Sequence, residues 1–170
     1  MSADAQTAGD KTGAVAEKIS GKYLTFDLAD EEYGLEILRV REIIGMMEIT
    51  PVPRTPEFVL GVINLRGKVI PVVDLRLKFG LPFKDADDRT CIIVVEVLNQ
   101  GQTIQMGIVV DLVNEVVDVK ASDVEPTPSF GVSLDTAFIL GMAKVGNKVK
   151  ILLDIDRVLT ANEVASLGGF

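Results

Sequence analysis

At 170 residues the chain is long enough to bury a core, yet it sits near the size at which one domain and two small ones share the same length. Its 17 Lys and Arg against 25 Asp and Glu leave a net charge of -8, which removes the phosphate-neutralising charge that nucleic-acid binding needs. It has 0 histidines, so the usual base near neutral pH and the commonest metal ligand are missing, and its 48% apolar content is dominated by Val, Ile and Leu, which fit a pleated surface.

In chain order, Met1 to Gly21 mixes Ala, Ser, Thr, Gly and scattered charges, with too little apolar content to fold, and reads as a disordered tail. It contains no signal-like apolar stretch, and nowhere does the chain supply the ~20 apolar residues of a membrane span. From Tyr23 onward short β-forming runs alternate with turn signals. Strands are expected at Tyr23–Leu28, Tyr33–Ile37, Val40–Ile49, Val59–Leu65, Lys68–Asp74, Thr90–Leu98, Gln102–Val110, Val113–Val119, Ile139–Val145 and Lys148–Leu153. Tight turns fit at Asp30-Glu31, Arg66-Gly67, Gln100-Gly101 and Gly146-Asn147. With no long helices between strands, the pairing should be mostly antiparallel. Pro71 cannot donate to a ladder and predicts an edge or a bulge, a restriction that its repeat counterpart Ile151 lacks.

An internal duplication organises these strands. Phe58-Val59-Leu60-Gly61, Lys68-Val69 and Asp74-Leu75 recur as Phe138-Ile139-Leu140-Gly141, Lys148-Val149 and Asp154-Ile155 at a constant offset of 80. Gly34 through Ile43 recurs as Gly107 through Val116 at an offset of 73, so the second copy holds about seven extra residues, assigned to the loop Glu125–Thr136. Each half has five strands, too few for a flat sheet with protected edges, and closure into a small barrel removes most of the exposed edge. The predicted fold is all-β: two linked five-stranded barrels, about 37–82 and 90–160 with some strand exchange, sharing a hydrophobic seam because neither alone buries enough surface. Leu75–Phe79 and Ile155–Leu159 have helical apolar spacing and are expected to be short helices at that seam. Ala161–Leu167 should extend the second as a C-terminal helix ended by Gly168-Gly169.

Chemistry finds no carrier. The single cysteine, Cys91, lies in an apolar run and is expected to be buried and inert, and without a second cysteine no disulfide forms within the chain, which suits the cytoplasm. Neither a Cys/His nor a Ser/His/Asp constellation is available, nor a zinc site, nor a Gly-rich phosphate loop. Asp74 and Asp154 are repeat equivalents that could in principle act as a carboxylate pair, but each follows a strand and precedes a helical turn, the ordinary place for an N-cap.

Recognition is better represented. Gly61 through Arg76 places Asn64 and Arg66 at the tip of a stiff hairpin, and a guanidinium fork on a rigid base loses little freedom on binding. Between Arg39 and Lys78, seven basic residues face four acidic ones, a local +3 that would steer an acidic partner. The competing account pairs these charges with one another, Glu42 with Arg66 for example.

These blocks, namely Asp30-Glu31-Glu32-Tyr33-Gly34-Leu35-Glu36-Ile37, Val40-Arg41-Glu42-Ile43-Ile44, Gly61-Val62-Ile63-Asn64-Leu65-Arg66-Gly67 and Ile70-Pro71-Val72-Val73-Asp74-Leu75-Arg76, resemble the CheW family of chemotaxis coupling proteins. The resemblance spans about Tyr23 to Thr160. It implies two SH3-like barrels of five strands around a shared seam, within a 22–160 domain flanked by the 1–21 tail and the 161–170 end. It also implies a non-enzymatic adaptor without cofactor or metal. Such an adaptor links the cytoplasmic tip of methyl-accepting chemoreceptors to the regulatory domain of the histidine kinase CheA, in the cytoplasm beside membrane receptor arrays, with further copies of the adaptor closing rings. By position, Val40, Glu42, Asn64 and Arg66 are similar to receptor-attachment residues, and Ile43 joins them as part of an apolar groove that accepts a helix. Kinase contacts are not assigned by the motifs. The second repeat has Lys144-Val145-Gly146-Asn147 in place of the Asn-Leu-Arg-Gly turn, which argues against a symmetric pair of sites. A fused kinase would need a phosphoacceptor His and an ATP-binding domain, and a receiver fusion roughly another hundred residues. A small-molecule-binding double barrel, with weak hydrolysis through Asp74 or Asp154, is the alternative and predicts a closed cavity instead of an open groove.

Overall fold

The computed structural model describes residues 16–99, 101–125, 138–159 and 163. Within them the strands are β1 (Gly21–Leu28), β2 (Glu31–Glu36), β3 (Val40–Gly45), β4 (Val59–Leu65), β5 (Lys68–Asp74), β6 (Cys91–Asn99), β7 (Gln102–Val110), β8 (Leu112–Val119), β9 (Val124–Glu125), β10 (Ile139–Val145) and β11 (Lys148–Leu153). A single-turn helix α1 (Leu75–Lys78) follows β5, and 3-10 turns occupy Ile37–Arg39 and Ala121–Asp123. Each expected strand forms, but the one expected at Val40–Ile49 stops at Gly45. Strand β9 is additional, because two residues carry no readable alternation.

The strands make two sheets, one ordered β8-β1-β2-β11-β10-β9 and the other β3-β6-β7-β5-β4. Repeat equivalence turns this list into a rule. By register, β1 and β2 correspond to β6 and β7, and β3, β4 and β5 to β8, β10 and β11. Each sheet therefore combines the first two strands of one half with the last three of the other. The parallel joints confirm it: Leu152 faces Gly34 and Leu153 faces Leu35 in one sheet, while Val72 faces Gly107 and Val73 faces Ile108 in the other. The expected barrels at 37–82 and 90–160 are thus corrected to a complete reciprocal exchange of β1-β2 for β6-β7. The cause is local. A hairpin after β2 would pair it with β3, but the 3-10 turn at Ile37–Arg39 carries the chain across the seam, and Asp111 alone does the same between β7 and β8.

Closure also differs slightly between the sheets. Past β8 the chain bends through Ala121–Asp123 so that β9 pairs with β10, at Met142 with Glu125 and Ala143 with Val124. After β3 the counterpart is a single bridge, Thr50 with Val62, closed by two amide hydrogen bonds of 2.8 and 2.9 Å. This is why one sheet has six strands where five were expected. Gly61 makes the bridge possible: a Cβ there would lie 2.1 Å from the Thr50 carbonyl oxygen, and its φ of +143° disfavours any side chain.

Pro71 sits in β5, between β4 and β7, so it is not on an edge. Its effect is to shift a ladder. In the parallel pair β2–β11 the contacts begin at Ile151 with Tyr33, whereas in β5–β7 they begin one residue later at Val72, because Pro71 has no N–H to donate.

The main core lies in the seam and draws on both sheets, with Leu24, Phe26, Leu35, Val73, Ile93, Ile108 and Leu153 all buried in one cluster. Aromatic rings run through it, Phe26 on Tyr33, Tyr33 on Phe79 and Phe79 on Phe138, at centroid distances of 5.8, 5.8 and 4.7 Å. Each sheet encloses a smaller core of its own, around Ile63, Ile70 and Ile92 in one and Tyr23, Ala143 and Leu152 in the other.

Several local expectations are corrected. The first turn falls at Ala29-Asp30, one residue early, with Ala29 at φ 54°. Residues 155–159 form irregular turns, not a helix. Cys91 is partly exposed, its thiol donating to the Arg89 carbonyl at 3.2 Å. Within the expected tail, residues 16–19 form a helical turn, Ile19 packs on the core around Tyr23 and Leu152, and the Tyr23 hydroxyl donates to the Ile19 carbonyl at 2.6 Å. Residues 1–15, the loop beyond Glu125 up to Thr136, and the Ala161–Leu167 helix except Glu163 lie outside the described residues.

Candidate functional site

The hairpin β4–β5 turns at Arg66-Gly67 with φ of 53° and 85°, positive at both central positions as a type I′ turn requires. Asn64 fixes the turn by accepting the Gly67 amide on its Oδ1 at 2.8 Å. The turn holds Arg66 beside β3, where its guanidinium donates to both carboxylate oxygens of Glu42, the Nη1–Oε2 contact measuring 3.3 Å. The Arg66 side chain stays 70% exposed while that of Glu42 is 30% exposed, so the fork is preset and open to solvent. Around it lies a depression of about 420 Å³ lined by Arg41, Leu65, Lys68, Val94 and Gln105. Lys68 donates to Gln105 at 3.1 Å, and Arg41 pairs with Glu96.

Of the residues singled out by sequence, Glu42, Asn64 and Arg66 therefore converge on one hairpin tip. Val40 and Ile43 do not join them there. A bulge at Arg41 separates Val40 from Glu42, and Val40 packs against the seam core. Strand alternation turns Ile43 to the face opposite Glu42, where it is 44% exposed. The counterpart patch on the other sheet differs as expected: Gly146 replaces Arg66, and Glu32 takes Lys150 and Lys148 as its partners. Sequence reading missed Arg41, Lys68 and Gln105, because their convergence depends on β6 and β7 lying between β3 and β5.

The local +3 is largely spent inside the molecule. Arg39 meets Asp156, Arg41 meets Glu96, Arg66 meets Glu42, Arg76 meets Asp111 and Lys78 meets Glu163. Pairing is thus the account that the geometry favours. Asp74 caps α1, accepting the Arg76 amide at 2.9 Å, and Asp154 accepts the Asp156 amide at 3.1 Å. Burial pushes the Asp74 carboxyl up, against its backbone hydrogen bonds. Among the described residues no group of acidic or Cys side chains is placed to hold a metal, and no helix is long and apolar enough to cross a membrane.

The chain is an all-β body of two sheets that carries a preset polar fork beside an open depression, an arrangement without a catalytic constellation among the described residues. Comparison with known proteins makes this specific. Residues 22–163 match the CheW-like domain. The chain is 41% identical to chemotaxis protein CheW of Klebsiella aerogenes over 88% of this chain and 87% of that protein, and 34% identical to chemotaxis protein CheW of Rhizobium meliloti over 82% and 88%. It superposes on the crystal structure of the scaffolding protein TtCheW from Thermoanaerobacter tengcongensis with a TM-score of 0.74 at 40% identity, covering 85% of this chain and 96% of that one. The chain belongs to the CheW-like domain family.

Proposed function

We propose that this protein is a non-enzymatic chemotaxis scaffold that couples the cytoplasmic tip of methyl-accepting chemoreceptors to the regulatory domain of the histidine kinase CheA, so that receptor state controls kinase activity. The observation that carries the reading is the Glu42–Arg66 fork, preset on a rigid hairpin and left exposed at an open depression, in a chain of the CheW-like domain family. Residues 22–160 act as one unit. Glu42, Asn64 and Arg66 form the receptor-attachment site, with Val40 and Ile43 supporting β3 from the seam and the opposite face. Further copies of the scaffold join in rings beside the membrane, on its cytoplasmic side. Each contact is of roughly micromolar strength and the array supplies avidity. No cofactor or metal takes part.

Titration of the wild type and Arg66→Ala against a receptor-tip fragment and the CheA regulatory domain tests this. Binding of both by the wild type, with Arg66→Ala weakening the receptor fragment by about tenfold and leaving the kinase domain unaffected, is the expected result; tenfold corresponds to about 1.4 kcal/mol. Binding of neither partner by the wild type would remove the proposal.

A further inference from the structure

The two crossings of the seam are held by ion pairs that repeat equivalence relates. Leu35 and Ile108 are equivalent, and so are their ladder partners Leu24 and Ile93, which makes Ala29 the counterpart of Leu98. At one end of the seam the Ala29 amide donates to Asp111 at 2.8 Å, and Asp111 is gripped by Arg76 of α1 through contacts of 2.7, 2.8 and 3.1 Å. At the other end the Leu98 amide donates to Asp156 at 2.8 Å, and Asp156 is gripped by Arg39. The polarity is reversed between the ends. Asp111 lies on a crossing and Arg76 after a last strand, whereas Arg39 lies on a crossing and Asp156 after a last strand.

Only one of these clamps reaches the Glu42–Arg66 site. Arg39 immediately precedes β3, and its Nη1 also donates to the Glu96 carbonyl at 2.9 Å. The Glu96 carboxylate in turn pairs with Arg41, which lines the same depression as Glu42 and Arg66. The chain of contacts runs from Asp156, beyond β11 of one sheet, through Arg39 and Glu96 to the site on the other. Among the described residues Asp111 and Arg76 make no contact that leads to this site; the Arg76 Nη1 donates instead to the Pro82 carbonyl at 3.1 Å.

We propose that Arg39 and Asp156 are positioning residues for the site, fixing the start of β3, and with it the Glu42–Arg66 fork, against the opposite sheet. This inference rests on the reading of that fork as the receptor-attachment site. A scaffold with partners on different faces works only if the faces keep a fixed angle, and a guanidinium that joins a carboxylate of one sheet to a carbonyl of the other supplies that constraint.

The experiment compares Asp156→Asn with Asp111→Asn, each breaking one clamp, in the full chain. Binding of a receptor-tip fragment is titrated, with thermal melting and amide hydrogen exchange at Leu98 and Ala29 measured alongside. Asp156→Asn should speed exchange at Leu98 and weaken the fragment about fivefold; Asp111→Asn should speed exchange at Ala29 and leave binding within twofold of the wild type. The double variant Arg39→Asp with Asp156→Arg restores an ion pair of the polarity used at the other end but removes the Arg39 donor to the Glu96 carbonyl, so it should recover thermal stability and leave binding of the fragment weakened; full recovery of binding would overturn the inference. Equal weakening by both single variants, or none by Asp156→Asn, overturns the inference. Arg66→Ala run in parallel separates the two failures: if it leaves the fragment's affinity unchanged, the site reading itself is wrong, whereas a loss there with none in Asp156→Asn condemns the clamp alone.

Discussion

Single residues in this protein act mainly through hydrogen bonds that satisfy the backbone. Asp74 accepts the Arg76 amide at the start of α1, and its carboxyl is pushed up by burial. A carboxyl raised in the folded state contributes stability that is complete below its unfolded value and is lost as pH rises through the folded one. Asparagine keeps the cap and carries no charge. Asp74→Ala should therefore cost about 1 kcal/mol at pH 7 and Asp74→Asn distinctly less, as read from urea unfolding midpoints. Equal losses would mean that the carboxylate contributes something beyond capping. Asn64 is a similar device, turned toward the Gly67 amide to set the Arg66 turn.

At the scale of elements, the two halves share a plan but not its tolerances. Gly61 and Gly141 are repeat equivalents at the bulges of β4 and β10. An added Cβ at Gly61 would meet the Thr50 carbonyl at 2.1 Å with φ at +143°, while at Gly141 the nearest atom is the Ile19 Cδ1 at 3.4 Å. Gly61→Ala should lower stability by at least about 2 kcal/mol, and Gly141→Ala by less than about 1 kcal/mol. Thermal melting of the two variants decides the matter. The repeat was visible in the sequence; the asymmetry was not, because it depends on how the chain returns at Thr50 on one side and at β9 on the other.

For the whole molecule, the exchange of β1-β2 for β6-β7 governs folding. A cut between α1 and β6 leaves each piece with strands whose partners are on the other piece. Fragments 1–85 and 86–170, made separately, should remain unfolded by circular dichroism and regain a cooperative transition only when mixed. Independent folding of either would contradict the observed sheet order. The clamps add a pH dependence. Burial pushes Asp111 up, but hydrogen bonds from Arg76 and the Ala29 amide, with the charge of Arg76, outweigh it and hold the carboxyl below its ordinary 3.8. Such a group contributes stability that is complete above the ordinary value and is lost as pH falls through the lower folded one. The stability difference between wild type and Asp111→Asn should be constant from about pH 5 to 7 and shrink below about pH 4, as followed by urea unfolding at each pH. A difference that persists unchanged to pH 3 would remove the ion pair from the account.

What the sequence determined by itself was every long strand, the duplication, the capping role of Asp74 and the hairpin that carries Asn64 and Arg66, since alternation, turn chemistry and internal similarity are all local or strictly periodic. Only the tertiary structure decided which strands lie side by side, that Val40 and Ile43 leave the Glu42–Arg66 face, that most of the local positive charge is paired, and that two clamps of opposite polarity close the seam. The physical reason is that strands with interchangeable apolar faces can pair in more than one order. The order is settled by a three-residue 3-10 turn, Ile37–Arg39, and by a single crossing residue, Asp111, whose backbone directions and distant partners leave no periodic trace in the chain.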